Sequence, residues 1–157
     1  MISVRNVAEA DLEALARMYV TIYEVVNPTE KWTVESARAF VCYFYLACKD
    51  LFFVVEQDGK LSGAAWGQVK PWWNGNRMFN FEVFIDTRSQ SKGLSKPLLL
   101  RLFQQAKRKY KVNTIEVITF SDRAFPLSYY LKLSIASAEQ LVLLEGDVSN
   151  IVKALQS

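Results

Sequence analysis

One polar turn in this chain combines residue types that suit the binding of an anion. The turn runs from Gln90 to Ser95, between an apolar strand pattern and an amphipathic helix pattern. The first N–H groups of a helix have no intrahelical partner, and the helix dipole favours negative charge at that end. Gly93 and the small serines let backbone approach a phosphate closely, and Lys92 adds a positive charge. The turn therefore predicts an anion site at the start of the helix.

Acid–base chemistry in this chain has to proceed without histidine, because the sequence contains none. This excludes His-based catalytic triads, imidazole zinc sites and histidine general bases. Proton transfer must use a carboxylate, a tyrosine, a lysine, a thiol or water, and we expect no metal ion. Cys42 and Cys48 are not expected to form a disulfide, because their spacing in one helix places them about 120° apart.

The turn is positioned by a strand before it and a helix after it. From Phe79 to Ile85, every second residue is apolar, and the positions between them are polar except Phe84. The run is rich in aromatic and branched side chains, which predicts a strand from Phe79 to Asp86. From Leu94 to Tyr110, apolar residues recur at three- and four-residue steps, which predicts an amphipathic helix. Pro97 lacks an N–H and fits only the first helical turn, so the helix should begin between Gly93 and Lys96.

The other elements follow from similar patterns. The expected order is strand, two helices, three strands, helix, strand, helix and one or two last strands. The predicted strands are Ile2–Arg5, Leu51–Glu56, Lys60–Val69, Thr114–Phe120 and Leu141–Glu145, and the predicted helices start near Asp11, at the N-cap Thr33, at Ala124 and at Asp147 or Ser149. This order predicts an α/β (α+β) fold with a mixed central sheet of six to seven strands flanked by about four helices.

Composition limits the class of protein. At 157 residues, 51% hydrophobic and 13% aromatic, the chain can bury a sizeable core, so we expect one folded domain over residues 1–157 and exclude disorder. The formal charge of +3 permits an anionic ligand but does not argue for nucleic acid. With no secretory signal and no long apolar span, we expect a cytoplasmic protein without a membrane partner.

The segment from Ile85 to Ser95 resembles the acetyl-CoA signature of the GNAT N-acetyltransferases. In that signature an apolar strand end and a short loop lead to Arg/Gln-x-x-Gly-x-Gly/Ala, which opens a long helix. Gln90 and Gly93 match it, whereas Ser91 stands where glycine is common and Ser95 where glycine or alanine is usual. By this resemblance, pantetheine bonds to the strand backbone at Val83, Phe84 and Ile85. The diphosphate would contact Gln90, Ser91, Lys92, Gly93, Leu94, Ser95 and Lys96.

A second segment, which begins at Ala124, resembles the C-terminal signature of the same family, Ala…Phe-Tyr-Glu-Lys-Leu-Gly-Phe. Tyr129-Tyr130, Lys132-Leu133 and Ile135 match it, and Ser134 replaces the usual glycine. The two segments extend the resemblance over essentially the whole chain, and they imply the GNAT fold with acetyl-CoA as its acyl donor.

The resemblance implies transfer of an acetyl group from acetyl-CoA to an amine by direct attack. Tyr130, on the family's tyrosine, would protonate the sulfur of the leaving thiolate, and Tyr129 takes that role if the register differs by one. Glu82 is the best-placed candidate for the base, alone or through water. A salt-bridged or solvent-facing Glu82 is the alternative, and Glu116 and Asp122 are weaker candidates.

The sequence indicates the identity of the acceptor amine less clearly than that of the donor. By resemblance its walls come from the Asn27–Thr33 and Pro71–Asn76 loops. Trp72 and Trp73, in the second loop, suit a cationic or planar small-molecule amine, although one ring could instead plug the core edge while the other lies on the surface. A catalytically weak acyl-CoA-binding or protein-interaction module is the alternative function, because serines replace glycines in both signatures. The family also allows a homodimer.

Overall fold

The computed structural model describes residues 1–156. Its strands are β1 (Ile2–Asn6), β2 (Phe52–Gln57), β3 (Lys60–Trp72), β4 (Gly75–Ile85) and β5 (Val112–Ile115). Its helices are α1 (Leu12–Val26), α2 (Val34–Cys48), α3 (Ser95–Tyr110), α4 (Ala124–Lys132) and α5 (Val148–Gln156). Short 3-10 turns precede α1 and β2 and follow β4.

The five strands form one mixed sheet in the order β1-β2-β3-β4-β5. The first four strands are antiparallel to their neighbours, whereas β4 and β5 are parallel. Parallel neighbours require a crossover connection, which α3 provides. At the β2–β3 turn, Asp58 and Gly59 both have positive φ, as a tight hairpin turn requires. The predicted α/β class and mixed sheet are confirmed.

The sheet of the described residues has fewer strands than predicted. β5 ends at Ile115, short of the predicted limit at Phe120, and the predicted strand Leu141–Glu145 is not a strand. A leucine- and valine-rich run has strand propensity, but its backbone N–H and C=O groups also need a neighbouring strand. No described strand pairs with this run, and the side chains from Leu141 to Leu144 are exposed.

Helix starts agree with the sequence signals. Thr33 caps α2, since its hydroxyl accepts a hydrogen bond from the N–H of Ser36 at 3.1 Å. α3 begins at Ser95, inside the predicted window, and Pro97 occupies its first turn. Local side-chain chemistry therefore determines where both helices begin.

Helices cover both faces of the sheet. On β4, Phe84 contacts Tyr19 of α1 with ring centroids 5.3 Å apart, whereas Phe81 stacks on Phe103 of α3 at 5.8 Å. Residues of opposite parity on a strand point to opposite faces, so α1 and α2 pack on one face and α3 on the other. Trp66, fully buried on β3, lies at the centre of the α1–α2 side of the core.

The described chain forms two compact units, Met1–Ile118 and the part from Thr119 onward. The first contains the sheet with α1, α2 and α3, and the second contains α4 and α5. Assignment of the whole chain to one domain stays a prediction. None of the helices among residues 1–156 has the length and apolar character needed to cross a bilayer.

Candidate active site

A bulge in β4 sets the position of the candidate base. Trp66 on β3 lies opposite Glu82, but Gln68 lies opposite Phe79, so β4 contains one extra residue over this stretch. Asn80, at the irregularity, has a φ of 46°, a left-handed conformation that is uncommon for a residue other than glycine. The bulge keeps Glu82 on the α1–α2 side of the sheet while it changes the local direction of the strand.

The edge of β4 that faces β5 is paired only near its beginning. β5 is in register with residues Asn76 to Met78, and the N–H of Glu116 adds one more bond to the carbonyl of Met78 at 2.8 Å. Within residues 1–156, no strand pairs with Val83–Ile85 on that side. An extended ligand can therefore bond to this backbone as an added strand would.

The carboxylate of Glu82 accepts three hydrogen bonds. The hydroxyls of Tyr19 and Tyr23 donate to one oxygen at 3.3 Å and 3.0 Å, and the N–H of Val83 donates to the other at 3.2 Å. The two tyrosines lie one turn apart on α1 with their rings stacked at 4.2 Å. No lysine or arginine among the described residues forms an ion pair with Glu82, so the salt-bridged alternative does not hold.

Burial changes the acidity of this cluster. Desolvation raises the pKa of Glu82 from its usual 4.5 to about 7, although the three hydrogen bonds oppose the rise. Desolvation and the Glu82 charge also raise the pKa values of Tyr19 and Tyr23, so both phenols stay protonated and keep donating. A carboxyl group that is about half ionised at neutral pH is suited to general base catalysis.

Aromatic rings extend from Glu82 to the connection between α1 and α2. The ring of Tyr19 meets that of Trp32 edge-on, with centroids 5.2 Å apart. The indole N–H of Trp32 donates to the carboxylate of Glu30 at 2.6 Å. Part of the Asn27–Thr33 loop, one of the two expected acceptor walls, is therefore joined to the Glu82 cluster through ring contacts.

The polar turn after β4 has the backbone geometry of an anion site. Ser91 and Gly93 both adopt left-handed conformations, with φ values of 62° and 75°, and such turns direct N–H groups toward a shared point. A Cβ placed on Gly93 would meet no atom within 4 Å, so the space beside it is open to a ligand. Within the described chain, the N–H groups of Gly93 and Leu94 donate to no protein acceptor.

Side chains anchor this turn and add charge to it. The amide of Gln90 donates to the carbonyl of Ile85 at 3.2 Å, which ties the turn to the end of β4. Lys92 and Lys96 are exposed, and Lys92 also reaches Gln57 at 3.4 Å. The residues present therefore fit a diphosphate, with backbone donors in the turn and two cations beside them.

Tyr130 lies in α4, in the second unit. Its side chain is buried, its ring centroid is 5.9 Å from that of Tyr129, and its carbonyl accepts bonds from the N–H groups of Leu133 and Ile135. Ser134, where the family prefers glycine, has a left-handed φ of 63°. This conformation explains the family's glycine, because glycine adopts it without strain.

Trp72 and Trp73 lie at the tip of the β3–β4 hairpin, where Trp72 pairs with Gly75. Trp73 is 86% exposed, while Trp72 packs under the guanidinium of Arg77 at 4.9 Å. Glu82 is seven residues farther along β4 than Gly75, a separation of about 20 Å in a strand. The structure thus does not bring these tryptophans together with Glu82.

The weaker candidates for the base, Glu116 and Asp122, form ion pairs with other side chains. Glu116 forms ion pairs with Lys70 at 3.2 Å and Arg77 at 3.6 Å. Asp122, in the second unit, pairs with Arg123 at 3.0 Å, and that bond lowers its pKa. Neither carboxylate takes part in the cluster of Glu82 with Tyr19 and Tyr23.

The sequence did not reveal the partners of Glu82. Tyr19 and Tyr23 belong to the apolar stripe of the first helix, where most aromatics are expected to be core residues. The available signal was their spacing of four residues, which places two phenol hydroxyls on one helix face. Such hydroxyls need acceptors when buried, and Glu82 was the carboxylate in an otherwise apolar strand.

The sequence matches one protein-family model. The model of the acetyltransferase (GNAT) family matches residues 12–134. A comparison with curated proteins found no significant match.

Several solved structures have a similar fold. A possible acetyltransferase from Clostridium difficile 630 matches with a TM-score of 0.78 and 14% identity, over 94% of this chain and 98% of that one. A predicted acetyltransferase with acetyl-CoA from Clostridium acetobutylicum has a TM-score of 0.69 and 15% identity, over 92% and 96%. Glucosamine-6-phosphate N-acetyltransferase from Arabidopsis thaliana has a TM-score of 0.62 and 15% identity, over 94% and 99%. At these identities the likeness concerns the fold alone.

Proposed function

Because this chain belongs to the acetyltransferase (GNAT) family, we propose that it transfers the acetyl group of acetyl-CoA to a small-molecule primary amine. The amine attacks directly while donor and acceptor are bound together. A route through Cys48 is disfavoured, because burial raises the pKa of that thiol to about 12 and it stays protonated.

The donor would lie along β4 and the turn that follows it. The turn from Gln90 to Lys96 would hold the diphosphate, with Gly93 and Leu94 as backbone donors. The unpaired edge at Val83–Ile85 would bond to the pantetheine amides. This placement is supported by the open space beside Gly93, by the left-handed turn and by the end of β5 pairing at Met78. Acetyl-CoA supplies the thioester.

Glu82 acts as the general base in this proposal, directly or through one water. Its carboxylate takes a proton from the substrate ammonium, and the free amine then bonds to the acetyl carbon as the carbon–sulfur bond breaks. Tyr130 gives its phenolic proton to the departing sulfur. The second proton of the nitrogen leaves as the amide forms and restores the phenol through solvent. The role of Tyr130 rests on its match to the C-terminal signature.

The observation that carries the proposal is the carboxylate of Glu82, which is held by three donors and has a pKa of about 7. The test is an assay of thiol release from acetyl-CoA with a panel of primary amines, with mass spectrometry of the product. Glu82→Gln should lower kcat/KM by at least about 100-fold and leave acetyl-CoA affinity unchanged. Glu116→Gln, at the residue that directly follows β5, is the control and should stay within a few-fold of wild type.

Three outcomes decide between the functions. Transfer that Glu82→Gln abolishes supports the proposal. Transfer that survives in Glu82→Gln rejects Glu82 as the base and leaves proton removal to water or to another carboxylate. Binding of acetyl-CoA without transfer to any amine supports the alternative of a catalytically weak acyl-CoA-binding module.

A further inference from the structure

We infer that the acceptor is an amine with a second positive charge, and that Glu30 binds that second charge. The inference rests on the proposed function and narrows its substrate class to diamines and polyamines. It starts from the loop between α1 and α2, where Glu30 is exposed but its carboxylate is held in place. One oxygen accepts from the side-chain amide of Asn27 at 2.7 Å, and the other accepts from the indole N–H of Trp32 at 2.6 Å.

Both carboxylates of this region lack a protein cation. Among residues 1–156, no lysine or arginine forms an ion pair with Glu30 or Glu82, whereas Glu56 pairs with one cation and Glu13 and Glu116 pair with two each. The ammonium group of the neighbouring Lys31 donates to the carbonyl of Pro28 at 2.6 Å. Two carboxylates without counter-ions make the region attractive to cations and unfavourable to anions.

One continuous aromatic surface joins the two carboxylates. The hydroxyl of Tyr23 donates to Glu82, and its ring centroid lies 6.3 Å from that of Trp32, whose indole donates to Glu30. The charge of Glu30 contributes to the raised pKa values of Glu82 and Tyr23, so it lies within electrostatic reach of both. Aromatic faces with nearby carboxylates are favourable surroundings for ammonium groups.

The geometry assigns a different part of the acceptor to each carboxylate. Glu82 lies on the β4 strand beside the proposed donor edge, so it serves the ammonium that reacts. Glu30 lies in the loop, across the aromatic surface, so it serves the ammonium that does not react. A monoamine of equal length could use only the first contact and should bind more weakly.

The test compares diamines with monoamines of the same length. Acetylation of 1,4-diaminobutane and its longer homologues is measured against pentylamine and its homologues, in which a methyl group replaces the distal ammonium. For the best diamine, wild type should show kcat/KM at least about tenfold above that of the matched monoamine, and the difference should appear in KM and not in kcat. Glu30→Gln should remove this preference, so that diamine and matched monoamine have equal kcat/KM when both are measured with the variant.

Two further variants keep the result interpretable. Glu24→Gln removes an exposed carboxylate of α1 and should retain the diamine preference, which controls for net charge. Glu30→Asp keeps the charge on a shorter side chain and should retain the preference, with an optimum shifted to a longer diamine. Circular dichroism confirms that each variant is folded.

The outcomes separate this inference from the proposed function. Equal kcat/KM for diamines and monoamines, or equal losses for both in Glu30→Gln, would overturn the role of Glu30 while transfer itself remains established. Absence of transfer to every amine, despite binding of acetyl-CoA, would overturn the proposed function and this inference with it.

Discussion

The carboxylate of Glu82 leads to a prediction about how the stability of the fold depends on pH. Desolvation holds its pKa at about 7 in the folded chain, against 4.5 for an ordinary glutamate. The folded state therefore keeps a proton that the unfolded chain has already lost. The free energy of unfolding should fall as pH rises from about 4.5 to about 7, and this contribution should level off above that range.

The size of the effect follows from the two pKa values. One unit of pKa corresponds to about 1.4 kcal/mol, so the full shift is worth about 3 kcal/mol, most of it lost between about pH 5 and pH 8. No histidine titrates in this window, because the chain contains none. Glu82 should therefore dominate the pH dependence there.

Urea unfolding of wild type and Glu82→Gln across this pH range measures the effect. Glutamine does not ionise, so the stability of the variant relative to wild type should increase by about 2–3 kcal/mol from pH 5 to pH 8. The change with pH is the informative quantity, because the glutamine amide has one acceptor oxygen and cannot accept from both Val83 and the two tyrosines as the carboxylate does. Glu24→Gln is the matched control and should follow wild type at every pH.

A flat difference between wild type and Glu82→Gln would refute the desolvation argument. It would mean that water reaches the carboxylate and that its pKa in the folded state is ordinary. The pH profile of kcat/KM is an independent check, since the wild-type rate should rise through an apparent pKa near 7. The glutamine variant should lack that rise.

Other substitutions test the donor turn, the acid and the sheet. Gly93→Asp should abolish the binding of acetyl-CoA, measured by calorimetry. The control is Gly59→Asp, at a glycine with a similar φ and equally open surroundings, which should lose similar stability but still bind acetyl-CoA. Binding by both variants would place the diphosphate elsewhere. Tyr130→Phe should lower kcat by about 100-fold without a change in acetyl-CoA affinity, whereas Tyr129→Phe should leave kcat near that of wild type. The reverse result would shift the match to the C-terminal signature by one residue. Gly63→Ala should cost about 2 kcal/mol, since its Cβ would lie 2.6 Å from a carbonyl oxygen of β4; an unchanged melting temperature would contradict this close approach.

Local signals in the sequence predicted the elements that position the donor turn. Alternation from Phe79 to Asp86, helical periodicity to Tyr110 and the position of Pro97 were enough to place the end of β4 and the start of α3. These signals work because they depend on contacts within a few residues. Two predictions were wrong: that β5 extends to Phe120, and that Leu141–Glu145 forms a strand. Strand formation also requires a partner strand, which local composition does not specify.

The sequence by itself determined the α/β class, the family and the start of α3 beside Gly93. Only the tertiary structure decided that Glu82 lies among phenols instead of cations, that Glu30 shares its aromatic surface, and that Trp73 lies at a distant hairpin tip. The physical reason is that the protonation of a carboxylate depends on desolvation and on donors far away in the chain. Tyr19 is 63 residues from Glu82 in sequence and 3.3 Å from it in space.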